Sequence, residues 1–110
     1  MNFIVAKDLR ERLQRGEHIV LLDVREIEEL TGPLGHLPEI KHVPLGDLPV
    51  RISELNDHKA GPIVTICKMG GRATRAAEFL QQAGFKNICV LEGGMNGWQE
   101  SGLPVESARV

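Results

Sequence analysis

Pro62-Ile63-Val64-Thr65-Ile66-Cys67-Lys68-Met69-Gly70-Gly71-Arg72-Ala73 holds a strand, a tight loop and a helix start within twelve residues. Ile63, Val64, Thr65 and Ile66 are β-branched without a polar alternation, which suits a strand covered on both faces. Gly70-Gly71 interrupts that run. Downstream, the spacing predicts a helix over Arg72 to Ala83. Ala73, Ala76, Ala77, Leu80 and Ala83 share one face, while Arg75, Glu78 and Gln82 lie off it. Gly84 is placed to form a left-handed cap. Cys67 therefore stands at the carboxyl end of a buried strand, in front of a helix N-terminus.

The same alternation extends in both directions. Towards the N-terminus, Ile19-Val20-Leu21-Leu22 is a second buried-type strand. A helix is expected from Val5 to Gln14, with Leu9 and Leu13 one turn apart and Gly16 beyond its end. A brief acidic helix is expected at Glu26 to Leu30, then a loop from Thr31 to Glu39, and a short strand at His42-Val43. Leu48, Ile52 and Leu55 give an i, i+4, i+7 stripe for one helix, with Pro49 in its first turn. Towards the C-terminus, Ile88 to Leu91 is the last strand. Gly93-Gly94 then turns into a short helix through Trp98. Strands of this type alternating with helices predict an α/β fold: a mostly parallel central sheet flanked by helices on both faces. In such sheets the binding crevice lies outside the carboxyl ends of the strands, where Cys67 is.

Composition bounds the rest. A chain of 110 residues with 42% apolar residues is expected to make one domain, 1–110, with one core. A formal net charge of −2 argues against a nucleic-acid binder that relies on a global basic field. No run approaches the roughly 18 apolar residues of a membrane span. The start Met1-Asn2-Phe3-Ile4-Val5-Ala6 is too short and uncharged for a signal-peptide core. Two cysteines make neither a disulfide framework nor a zinc site, so a cytoplasmic chain with reduced thiols, no metal and no cofactor is expected.

Cysteine, four residues, then arginine has a chemical rationale. The thiolate is the nucleophilic form, and Lys68, Arg72 and the positive end of the following helix all favour an anion. Gly70 and Gly71 allow the loop to curl so that its N–H groups form an anion nest. Such a nest suits a second atom bonded to the cysteine, such as the outer sulfur of a persulfide. Around this loop, Leu21-Leu22-Asp23-Val24-Arg25-Glu26, Gly35-His36-Leu37-Pro38 and Leu91-Glu92-Gly93-Gly94 followed by Trp98 stand in order. With these signatures the chain resembles a single-domain rhodanese, a sulfurtransferase. The resemblance implies a double displacement through Cys67 as nucleophile, with a small anionic sulfur donor such as thiosulfate and a thiol or cyanide acceptor. It implies a donor site at Lys68, Met69, Gly70, Gly71 and Arg72, and supporting roles for Asp23 and Arg25.

The pattern also departs from that family. Lys68 stands where arginine is common, Met69 where a hydroxyl is common, and Glu39 where a glycine follows the His-x-Pro segment; Thr31 to Leu34 is extra length. Three other functions compete. A persulfide carrier between proteins fits an exposed Met69. A non-catalytic interaction module would be expected to lose the cysteine or its loop. Cysteine-loop phosphatases have five residues between cysteine and arginine, a ring wide enough for a tetrahedral oxyanion, against four here. Cys89, between Ile88 and Val90, is expected to be a packing residue. His18, His36, His42 and His58 are expected on surfaces or loops, with His36 nearest the crevice. Arg75 is either a solvated helix face or the rim of an anion site.

Overall fold

The computed structural model describes residues 1–107. In chain order the elements are β1 (Asn2–Ile4), α1 (Ala6–Gln14), β2 (Val20–Asp23), α2 (Ile27–Leu30), β3 (Lys41–His42), α3 (Leu48–Arg51), β4 (Pro62–Ile66), α4 (Gly71–Gln82), β5 (Asn87–Leu91) and α5 (Gly94–Glu100). The five strands form one sheet in the order β1-β5-β4-β2-β3, and every pairing is parallel. The α/β expectation holds.

The period of two along each strand sorts side chains into two cores. On one face Leu22, Ile63, Ile88 and Val90 pack against Ala73, Ala76, Ala77 and Leu80 of α4 and against Leu48 and Leu55. On the other, Leu21, Val64, Ile66 and Leu91 meet Leu9 of α1 and Met95 and Trp98 of α5. Small alanines let α4 lie close on the sheet. Each fully buried Leu or Ile in these layers contributes about 1.5–3 kcal/mol relative to exposure.

Three expectations need correction. The stretch around Leu48, Ile52 and Leu55 is not one helix. A single α-turn, α3, is flanked by 3₁₀ segments at Leu45–Asp47 and Ile52–His58. Leu48 and Leu55 are nonetheless buried, as the stripe requires. The N-terminal residues, given no element by their pattern, form β1 at the sheet edge through pairing with β5. His36 is buried rather than on the surface. Its backbone bridges Glu106, and its Nδ1–H donates to the Leu30 carbonyl at 2.8 Å.

The strand order places the site. β4 sits between β5 and β2, so the carboxyl ends of β2 and β4 are adjacent and their chains leave in different directions. The Val24 N–H donates to the Ile66 carbonyl at 2.9 Å and extends the pairing to the last residue before Cys67.

Candidate active site

β4, the central strand, delivers Cys67 to the carboxyl end of the sheet, and the next residues wrap around its sulfur. Sγ accepts hydrogen bonds from the Gly70 N–H at 3.0 Å and the Ala73 N–H at 3.3 Å. Gly70 has φ 121°, a conformation that L side chains resist, so glycine is required for this curl. Two threonines fix the helix start. Thr74 Oγ1 donates to the Gly70 carbonyl at 2.8 Å, and Thr65 Oγ1 ties β4 to the Ala73 carbonyl at 2.9 Å. The N–H groups of Lys68, Met69, Gly71 and Arg72 have no acceptor among the described residues.

The loop is closed from behind by α5. The Met95 N–H donates to the Cys67 carbonyl at 2.8 Å, and the Asn96 N–H to the Lys68 carbonyl at 3.0 Å. A Cβ on Gly94 would collide with both carbonyls, and its φ is 58°. The Gly93-Gly94 turn is thus a seat for the cysteine loop as well as a helix start.

Asp23 and Arg25 are fully buried at the carboxyl end of β2, where Asp23 pairs in register with Ile66 of β4. Asp23 accepts from the Arg25 backbone N–H at 3.1 Å and from its guanidinium at 3.0 and 2.9 Å. The same guanidinium donates to the carbonyls of Gly35 at 2.7 Å and Glu29 at 3.4 Å. His42 Nε2–H donates to the Arg25 carbonyl at 2.7 Å. Every buried polar atom in this network has a partner, which such groups need in a low-dielectric setting.

Arg72 faces Glu29 rather than open solvent. Its guanidinium forks onto the Glu29 carboxylate at 2.7 and 2.9 Å, joining α4 to α2. That fork, opposed by partial desolvation and aided by the Glu26 N–H, lowers the Glu29 carboxyl from 4.5 to about 2. Glu29 in turn raises Arg72. The arginine's charge is therefore largely committed, which the sequence pattern did not indicate.

Lys68 and Met69 are exposed, Met69 at 61%, and Lys68 has no ion-pair partner among the described residues. Cys67 itself is only 1% exposed and packs with the α4 core. Cys89 is half-buried against the opposite core. Arg75 is exposed on α4 and takes no part in the loop. No cluster of three metal-ligating side chains occurs among the described residues, and no helix there is long and apolar enough to cross a membrane.

A family model for the rhodanese-like domain matches residues 5–101. The chain belongs to the rhodanese-like domain family. A sulfurtransferase from Allochromatium vinosum is 31% identical over 105 residues, covering 96% of this chain and 94% of that protein. The crystal structure of a rhodanese-related protein from Thermoplasma volcanium superposes with a TM-score of 0.86 at 33% identity, covering 98% of this chain and 100% of that one. A shorter match, 40% identical over 47 residues, links 43% of the chain to 44% of the thiosulfate sulfurtransferase GlpE of Actinobacillus pleuropneumoniae. Within this rhodanese-like sulfurtransferase fold, two features were absent from the sequence pattern. One is the Glu29 fork on Arg72. The other is the left-handed φ of 59° that the backbone takes at Glu39.

Proposed function

We propose that the chain transfers a sulfane sulfur from thiosulfate or a similar donor to a thiophilic acceptor through a persulfide on Cys67. The observation that carries this reading is the sulfur's setting: two N–H groups already on Sγ, and further loop N–H groups without acceptors. The Cys67 thiolate attacks the outer sulfur of thiosulfate. The S–S bond of the donor breaks, sulfite leaves with the electron pair, and Cys–S–S⁻ remains. Cyanide or a thiolate then attacks the outer sulfur, and the electron pair returns to Sγ. This is covalent catalysis with ping-pong kinetics.

Burial of Cys67 favours a donor that presents a single atom end-on, as the sulfane end of thiosulfate does. Lys68 supplies the uncommitted positive charge at the loop. Arg72 instead keeps α4 and α2 in register around the sulfur. Asp23 and Arg25 support the floor without meeting the donor. The test is thiocyanate production from thiosulfate and cyanide. Parallel ping-pong lines are expected, with activity abolished in Cys67→Ala and kept in Cys89→Ala. Transfer by Cys67→Ala overturns the reading.

A persulfide carrier serving protein partners is a second reading, favoured by one observation. Met69 and Phe3, at 61% and 51% exposure, flank a shallow groove of about 290 Å³ beside Gly70 and Gly71. Apolar side chains left open at a reactive loop suit contact with another protein. Faster loading of Cys67 from a protein persulfide than from thiosulfate would select this reading.

A further inference from the structure

A cleft of about 450 Å³ adjoins the cysteine loop, lined in part by Glu28, Gly32, Pro33, Leu34, Lys68 and Asn96. Its outer wall includes Gly32, Pro33 and Leu34. Its inner wall is the loop, since Lys68 follows Cys67 directly and is bonded through its carbonyl to the Asn96 N–H. The volume falls within the range that encloses small organic ligands, and exceeds what a compact oxyanion such as thiosulfate fills.

The charges in this cleft are selective. Arg25 is spent on Asp23 and two carbonyls, and Glu29 on Arg72. Two charged groups remain without ion-pair partners among the described residues: the Lys68 ammonium and the Glu28 carboxylate. The lining also includes Pro33, Leu34 and the Asn96 amide, whose nitrogen is engaged by Glu100 at 3.2 Å, leaving its oxygen to accept. A dianionic donor gains from Lys68 and is repelled by Glu28. A molecule with a carboxylate, an ammonium group and a short apolar stem satisfies both.

We propose that this cleft seats the sulfur acceptor, and that Lys68 and Glu28 select an amino-acid or short-peptide thiol bearing both an ammonium and a carboxylate group. The proposal rests on the persulfide reading above. The bound thiol loses its proton to solvent and attacks the outer sulfur of Cys67. The bond between the two persulfide sulfurs breaks, its electron pair returns to Sγ, and the acceptor leaves as its own persulfide.

The test separates binding from chemistry by using S-methylcysteine, a zwitterion that cannot accept sulfur. Titrated into the reduced protein, it should shift the backbone amide resonances of Gly32, Leu34, Lys68 and Asn96. Its affinity should exceed by about fivefold, the worth of one exposed ion pair, that of 3-(methylthio)propionate, which lacks the ammonium, and of S-methylcysteamine, which lacks the carboxylate. Glu28→Gln should erase the advantage over the first analogue, and Lys68→Ala the advantage over the second. Equal affinities for all three, or shifts confined to other residues, overturn the proposal whether or not Cys67 takes up sulfur. If S-methylcysteine binds as expected while Cys67 never loads, the binding site stands, and its role as acceptor site falls together with the persulfide reading.

Discussion

Replacing Glu29 by Gln removes one charge from the fork on Arg72 while keeping the side chain's size. A carboxyl held at about 2 instead of 4.5 corresponds at face value to about 3 kcal/mol of preference for the charged form. The two side chains are 31% and 33% exposed, so solvent screening reduces the expected stabilisation to about 1 kcal/mol. Because the folded carboxyl is depressed, the unfolded chain binds more protons between pH 4.5 and 2. The contribution is complete above 4.5 and is lost as pH falls towards 2. Equilibrium urea unfolding of parent and Glu29→Gln should differ by about 1 kcal/mol at pH 7 and by less than half of that near pH 3. Comparing the two proteins cancels the titration of all other carboxylates. A variant as stable as the parent at pH 7, or a difference that persists undiminished at pH 3, refutes the fork as a stabilising link between α2 and α4.

Lys68→Ala should raise KM for thiosulfate about fivefold with little change in kcat, and the effect should shrink in high salt, as measured by steady-state kinetics across ionic strength. Glu39→Gly should stabilise the fold by about 0.5–1 kcal/mol, read from its thermal midpoint, because it relieves a left-handed side chain and glycine's extra unfolded entropy offsets only part of the gain. Cys67→Ala should stay folded yet lose about 1 kcal/mol in urea unfolding, since its sulfur fills space among buried α4 and sheet side chains.

The loop and its flanking elements were legible because the signals there are local. Four β-branched residues, two glycines and an alanine stripe each specify one conformation within a few positions. Asp23 and Arg25 stand in a recognisable signature, and both are buried at the end of β2 beside β4. What escaped depends on distant partners. Glu29 lies in an acidic stretch that reads as a solvated helix, and its arginine is 43 residues away. β1 is three residues long and exists through its pairing with β5. Leu48 to Leu55 keeps the apolar spacing of a helix, yet its backbone winds mostly as 3₁₀ turns. His36 looks like a loop histidine until the bridge to Glu106 covers it. Cys67 was placed correctly, but its burial came from α4 folding back over the strand end, which spacing alone does not convey.

Intact-mass measurement of the reduced protein after incubation with thiosulfate tests the central claim most directly. Covalent catalysis requires that the intermediate form before any acceptor is present, so a gain of about 32 Da, one sulfur atom, is expected on Cys67. Cyanide should then remove that mass as thiocyanate appears, and Cys67→Ser should never acquire it. A gain from another sulfane donor but none from thiosulfate would discard the substrate and keep the persulfide. No gain from any donor, in protein shown to be folded and reduced, would contradict the account.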